Sequence, residues 1–495
     1  MSKRSIVLIT GLVIASLGAG CSASWLTGGE PIPPTAEAPP PAPVVVDGVR
    51  TSYADVVEKT AAAVVRIEAE ARNEPQRQAP QGRSPLEDFF RQFPGPGGQG
   101  QGPRVERGMG SGVIVSADGT LLTNAHVIDG ADSIRVLTND NRSYDAKLVG
   151  IDKPSDLAVL KIDAQNTPFL TLGNSDSVRV GDIVLAIGNP LGIGQTVTAG
   201  IISAKGRRTG LSDGSFEDFL QTDAPINRGN SGGALVNLNG ELIGINSQIL
   251  SPPGSGGNIG IGFSIPSNMA KSVMDQLLAN GRVRRGMLGV NIQNITGDTA
   301  QALDLPEASG VLVSNVRSGS AADKAGVRRG DIITAINGEK IDDGNVLRNK
   351  IAGTLPGTEV KLSVLRDGGT TELTAVLDEF DTETAEAQQP GGPSGGDSAP
   401  PGGKLGLTLQ PVTPELAKQY GDGSETSGLV VTQVDQAGAA AEAGIARGDI
   451  ILEVNRQPVT TADALESAIQ SAGNRPVLLL VSRKGTTVFI TVRPR

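Results

Sequence analysis

A stretch of nine residues written twice constrains this chain more than any other feature. Ala325-Gly326-Val327-Arg328-Arg329-Gly330-Asp331-Ile332-Ile333 returns as Ala443-Gly444-Ile445-Ala446-Arg447-Gly448-Asp449-Ile450-Ile451, an offset of 118 from position 326 to position 444. Each copy opens with a glycine-bearing loop, Gly286-Met287-Leu288-Gly289-Val290 or Gly403-Lys404-Leu405-Gly406-Leu407, and carries an asparagine after a strand, Asn337 or Asn455. Two copies of one small domain are therefore expected at 282–380 and 403–495. Residues 381–402 between them turn from acidic to Gly/Pro/Ser-rich, the composition of a flexible linker. At 495 residues the chain has room for about three domains, so the part before the repeats, 51–281, must bury a core of its own.

That part reads as β structure. Aromatics are only 3% of the chain and glycine reaches 66 residues, which favours turn-rich β domains over a helical bundle. Short apolar runs are expected as strands at 63–67, 112–115, 121–123, 133–137, 146–150, 157–162, 182–187, 195–204, 233–236, 242–249 and 259–265. Asp118-Gly119 marks a hairpin turn between two of them. Only 267–279 has helical spacing, through Ala270, Val273, Met274, Leu277 and Leu278, with Gly281 placed to cap it. Strands this regular predict antiparallel barrels or a sandwich. Residues 73–104 form a long Gln/Gly/Pro/Arg-rich loop around the hydrophobic island Pro85 to Phe93, read equally as a disordered insertion or as a regulatory loop reaching a neighbouring subunit. Its spaced glycines, Gly95 to Gly100, lack the flanking strand and helix of a dinucleotide site and are low complexity.

Composition removes several functions. A net charge of −10 argues against binding a phosphate backbone, so no nucleic-acid partner is expected. One Cys and one His exclude disulfide frameworks and multi-ligand zinc sites, so no metal is expected. At the N-terminus, Lys3 and Arg4 precede an apolar run from Ile6 to Leu17 that ends in Gly18-Ala19-Gly20 before Cys21, an export signal shorter than a membrane span normally needs, with a signal anchor as the weaker alternative. The small residues before Cys21 resemble a bacterial lipoprotein processing site, although Leu17 stands four positions before the cysteine rather than three; lipidation of Cys21 and simple cleavage both stay open. Residues 1–20 are then the signal and 21–50 a Pro/Ala-rich tether.

Three segments carry chemistry. Thr123-Asn124-Ala125-His126-Val127 holds the one imidazole, Asp156 opens the run Leu157-Ala158-Val159-Leu160, and Gly229-Asn230-Ser231-Gly232-Gly233 sets a serine in a glycine-rich turn. Each alone is ordinary, since a lone His is usually structural and an Asp before a strand usually a turn residue. Together they supply what acyl transfer needs: a serine, a base to take its proton, and a carboxylate to hold that base. The glycines let the amides around Asn230, those of Gly229 and Ser231, turn toward a developing oxyanion. His before Asp before Ser is also the chymotrypsin-like order.

With these segments, together with Gly188-Asn189-Pro190, Gln221 to Leu235 and Ile259-Gly260-Ile261-Gly262-Phe263-Ser264-Ile265-Pro266, the chain resembles the HtrA family of exported serine proteases, most closely DegP/DegQ-type members with two PDZ domains. The resemblance runs from about Thr51 to the C-terminus. It implies a mainly β fold, a chymotrypsin/trypsin-like double β-barrel followed by two PDZ domains. It implies His126 as general base, Asp156 as its orienting acid, Ser231 as nucleophile and the Gly229, Asn230, Ser231 turn as oxyanion hole. It places Ile259, Gly260 and Ile261 at the primary specificity pocket, and Leu288, Gly289, Val290, Leu405, Gly406 and Leu407 at the peptide-binding loops of the PDZ domains. Implied partners are unfolded or misfolded polypeptides and exposed C-terminal peptides, with assembly as homotrimers that build larger oligomers, and no cofactor. No Gly-x-x-x-x-Gly-Lys-Ser/Thr loop for ATP occurs. The expected function is an ATP-independent envelope endopeptidase acting on misfolded exported proteins. A binding protein that holds unfolded chains through two modules is the competing class. A regulatory protease that cuts a single partner is a third, which the doubled repeat disfavours.

Overall fold

The computed structural model describes residues 45–46, 49–50, 52–73, 104–190, 194–209, 216–227, 229–250, 257–380, 405–421 and 427–494. The export signal, Cys21, the Pro/Ala-rich tether as far as residue 44, the island in the long loop and the linker between the repeats fall outside them. Of the described residues, those up to Ser52 belong to one unit, in which Val45–Val46 pairs with Val49–Arg50, and those from Tyr53 onward to a second.

Two closed six-stranded barrels occupy the part before the repeats. The first contains β1 (Val64–Asn73), β2 (Arg104–Ile114), β3 (Thr120–Thr123), β4 (Ser133–Leu137), β5 (Ser143–Asp152) and β6 (Leu157–Ile162), closed in the order β1-β2-β3-β6-β5-β4. The second contains β7 (Ile183–Gly188), β8 (Thr196–Arg207), β9 (Phe219–Thr222), β10 (Ala234–Asn237), β11 (Leu242–Ile249) and β12 (Gly262–Pro266), closed in the equivalent order β7-β8-β9-β12-β11-β10. The apolar runs of β3, β6, β7 and β11 are continuous because both faces of these strands are buried, whereas β4 alternates between exposed and buried positions. In β6, Leu157 and Val159 meet Leu185, Ile187, Leu242 and Ile245 between the barrels, whereas Ala158, Leu160 and Ile162 fill the interior of the first.

Most expected strands lie within a few residues of their predicted bounds, and β9, bracketed by polar residues, is the strand that the patterning missed. The expected strand at 259–265 is corrected: it begins at Gly262, because Gly260 has φ of 87° and leaves the extended region, and Ile259 is exposed. A short helix, α1 (Ala125–Ile128), follows β3, and α2 (Ser267–Asn280) ends the double barrel. Ala270, Val273, Met274 and Leu277 form its buried face, while Leu278 turns to solvent, against expectation. Gly281, at φ 68°, caps it by donating to the carbonyl of Leu277 at 2.9 Å.

The repeats have one topology. β13 (Val290–Asn294), β14 (Val311–Val316), β15 (Ile332–Ile336), β16 (Glu359–Arg366) and β17 (Gly369–Val376) lie in sequential order with α3 (Gly344–Gly353); β18 (Leu407–Pro411), β19 (Leu429–Val434), β20 (Ile450–Val454), β21 (Val477–Arg483) and β22 (Thr486–Val492) do the same with α4 (Ala462–Ala472). The repeated Gly-Asp-Ile-Ile now has a cause. Buried Asp331 accepts the Arg328 amide (2.8 Å) and the guanidinium fork of Arg366, and Asp449 likewise accepts the Ala446 amide (2.8 Å) and the fork of Arg483. Asn337 and Asn455 stand at φ 51° and 47°, where asparagine is tolerated, and their side-chain oxygens accept the amides of Lys361 (2.8 Å) and Leu478 (3.0 Å).

Candidate active site

Pairing of β3 with β6 sets Thr123 opposite Ala158, so residues just past the end of one strand meet residues just before the start of the other. His126 and Asp156, 30 positions apart, become neighbours this way. Asp156 follows a single 3-10 turn, Lys153–Ser155, and has φ of 55°. Its carboxylate accepts the His126 amide (3.0 Å), faces Nδ1 of the His126 ring (2.8 and 2.9 Å) and accepts the Ser247 hydroxyl (2.8 Å). Its backbone carbonyl accepts the side-chain amide of Asn124 at 3.0 Å. The imidazole is thereby held with Nδ1 toward the Asp156 carboxylate and Nε2 on the opposite side of the ring.

Ser231 lies in the turn between Gly229 and β10. Asn230 donates its amide to Asn227 (3.0 Å), closing a turn whose third residue, Gly229, has φ of 95°, a conformation that favours glycine. Gly232, at φ 82°, is obligatory for a second reason: a Cβ there would stand 2.1 Å from the Ser111 carbonyl oxygen. The Ser231 hydroxyl donates to the carbonyl of Ser247 at 2.8 Å. One residue of β11 thus touches both ends of the constellation, its carbonyl on Ser231 and its hydroxyl on Asp156.

Ser247 was not legible from motif reasoning. Its signal is Asn246-Ser247-Gln248, three polar residues inside a strand whose remaining side chains are apolar, with Asn246 and Ser247 fully buried. Asn124 was also missed as a participant; its side-chain oxygen is buried without a hydrogen-bond partner among the described residues. Ile259, Gly260 and Ile261 lie on a loop tied to the turn before Ser231, through Asn258, which donates to the carbonyl of Ile226 (2.9 Å) and accepts from Gly260 (2.5 Å). Ile226 itself packs on Gly262, where a Cβ would meet it at 3.0 Å.

In the repeats, the side chains of Leu288, Leu405 and Leu407 are buried in the domain cores. The carbonyls of Leu288 and Gly289 face inward, accepting from Ala322 (2.8 Å) and Arg317 (2.9 Å), as do those of Leu405 and Gly406, accepting from Ala440 (3.2 Å) and Asp435 (2.8 Å). In a trans peptide the following amide points the other way, so the N–H groups of Gly289, Val290, Gly406 and Leu407 are directed outward. Val290 and Leu407 begin β13 and β18, each at one edge of its sheet.

The trypsin-like peptidase domain family matches residues 110–245, and two PDZ domain families match residues 286–377 and 430–483. The chain is 39% identical over 501 residues to the periplasmic pH-dependent serine endoprotease DegQ of Escherichia coli (strain K12), covering 99% of this chain and 100% of that one. It is 45% identical over 384 residues to a DegP-like periplasmic serine endoprotease of Chlamydia trachomatis, covering 78% and 74%. Among solved structures, the HtrA-type protease AlgW with tripeptide superposes with a TM-score of 0.54 at 43% identity, covering 68% of this chain and 99% of that one. Two closed barrels followed by two matching repeats, together with 39% identity to DegQ over nearly the whole of both chains, make this chain a member of the HtrA family of serine endoproteases, of the DegP/DegQ type with two PDZ domains.

Proposed function

We propose that this endopeptidase works in the bacterial periplasm or cell envelope, without ATP, on unfolded or misfolded exported polypeptides. The hydrogen-bonded chain Ser231–Ser247–Asp156–His126 carries the reading. In the reaction the Ser231 hydroxyl exchanges the Ser247 carbonyl for Nε2 of His126, gives up its proton there and attacks the scissile carbonyl. The amides of Gly229 and Ser231 receive the oxyanion. His126 then protonates the leaving amine and activates the water that hydrolyses the acyl-enzyme. Asp156 holds the tautomer and stabilises the imidazolium. The Ile226–Gly262 contact and the loop through Ile259, Gly260 and Ile261 support a preference for small aliphatic residues before the scissile bond.

Protease residues 51–281, a first PDZ domain at 282–380 and a second at 403–495 are the working division. The outward amides at Gly289 and Val290, and at Gly406 and Leu407, suit capture of a peptide C-terminal carboxylate while the peptide adds a strand to β13 or β18. Assembly is through homotrimers into larger oligomers. The periplasmic naming of the relatives and the apolar segment before Cys21 support export. Those two edge strands also favour a second reading, in which the protein holds unfolded chains and hydrolyses them rarely.

The test is digestion of reduced casein by the chain from Asp47 onward and by its Ser231→Ala variant, while both are followed for suppression of aggregation of a heat-unfolded substrate. Cleavage by the parent alone is expected. Cleavage by the purified variant would overturn the role of Ser231, and suppression without cleavage by either protein would favour the holding function.

A further inference from the structure

Ser111 lies in β2 of the first barrel, yet its amide and its hydroxyl both donate to the nucleophile turn of the second. It is fully buried, and all of its polar groups are engaged. Its amide donates to the carbonyl of Ser231 at 2.8 Å, and its hydroxyl donates to the carbonyl of Gly229 at 2.5 Å. The same hydroxyl oxygen accepts the amide of Asn189 at 2.8 Å, and the Ser111 carbonyl accepts the Thr123 hydroxyl at 2.7 Å. Its neighbours allow this approach: a Cβ on Gly110 would stand 2.7 Å from the Val127 side chain, and one on Gly112 would stand 2.8 Å from that of Ile67. At Gly110 the strand lies close to both the helix that carries His126 and the Ser231 turn, since a Cβ there would also stand 3.3 Å from the Ser231 carbonyl.

We propose that Ser111 is a positioning residue for the oxyanion amides, gripping from behind the carbonyls of the same two residues, Gly229 and Ser231, whose N–H groups meet the substrate. Peptide units are rigid planes, so a carbonyl held at Gly229 restricts ψ of that residue, and with it the angle between its own amide and the planes that follow. Gly229 has φ of 95° and no side chain of its own to restrain it. A donor that must point at charge appearing only in the transition state contributes in proportion to how well it is fixed beforehand. The hydroxyl also joins this turn to Asn189 at the end of β7, so one side chain ties the first barrel, the nucleophile turn and the segment after β7 together.

The inference rests on the assignment of Ser231 and its amide given above, and the experiment separates the two. Ser111→Ala, Ser111→Thr and Ser231→Ala are compared by steady-state hydrolysis of a short peptide substrate and by affinity for a peptide boronate, at a temperature well below each protein's measured unfolding midpoint. For Ser111→Ala we expect kcat to fall by ~10–100-fold with KM nearly unchanged, less than the ~100–1,000-fold typical of deleting an oxyanion donor outright. Boronate affinity should fall in the same proportion. Ser111→Thr, which keeps the hydroxyl, should recover part of both; if the extra methyl prevents folding, the parallel fall of kcat and boronate affinity in Ser111→Ala decides alone. Unchanged kcat, or a rise in KM with boronate affinity intact, would overturn the positioning role. Activity surviving in Ser231→Ala would instead overturn the site assignment on which it rests.

Discussion

Asp156 occupies a backbone conformation that costs a residue other than glycine about 1–3 kcal/mol, and four groups hold it there: the amide and ring of His126, the hydroxyl of Ser247 and the side chain of Asn124. The residue types of the site were legible because acyl transfer demands them; the partners that hold them were not, because serine and asparagine carry no chemical signature until a fold places them. Asp218 offers a test at the same scale. Burial, reinforced by the nearby charge of Asp176, holds its carboxyl above the ordinary range. The folded protein therefore binds this proton more tightly than the unfolded chain, and the stability linked to it is present at low pH and lost as pH rises through the raised value. Asp218→Asn should exceed the parent in melting temperature at pH 8, with the gap closing as pH falls below the usual carboxylate range. A gap independent of pH would contradict the assignment.

At the scale of elements, the 3-10 turn that delivers Asp156 is held by an ion pair from beyond α2. The carboxylate of Asp152 accepts the amide of Ser155 at 3.2 Å and meets the guanidinium of Arg285, with both side chains buried. Arg285 also lies 4.7 Å over the ring of Phe216, which packs edge-on against Phe380 at 5.7 Å. Removing one partner of a buried pair leaves the other charge stranded, so Arg285→Met should destabilise by about 3–5 kcal/mol in urea unfolding. Arg285→Met with Asp152→Leu should regain most of that stability but not peptidase activity, because the turn under Asp156 loses its cap. Equal recovery of both would show that the cap is dispensable. Strand periods announced β5 and β6; nothing local announced that a residue 133 positions away would brace the turn between them.

Across the whole molecule, the outer face of the first PDZ sheet is covered by the second domain. Ile295, Leu312 and Ile332 pack with Leu478, Leu480 and Phe489, and the Gln293 side chain donates to the carbonyl of Phe489 (2.9 Å) while accepting its amide (2.7 Å). Arg475 pairs with Asp304 and Arg493 with Asp298 around this apolar centre. Ending the chain at Phe380 should uncover that face, raising the binding of a hydrophobic dye, and, under the proposed assembly of trimers into larger oligomers, should reduce the particle size in light scattering. Dye binding equal to that of the full chain would show that this contact does not persist in solution, and an unchanged particle size would count against a role for the second PDZ domain in assembly.

What the sequence determined by itself was local or repetitive: the β character of residues 51–280, the duplicated domain, the amphipathic α2, and the order His126, Asp156, Ser231. Periodicity, glycine placement and residue type are all written within a few neighbouring positions. The tertiary structure alone decided that two six-stranded sheets close with one topology, that the 259–261 segment is loop rather than strand, and that Ser111, Ser247 and Arg285 stand behind the nucleophile turn and Asp156. The reason is strand register. A hydrogen bond from Ser111 to Gly229 spans 118 positions and depends on two barrels closing in fixed alignment, and no period along the chain records which strand a residue will face.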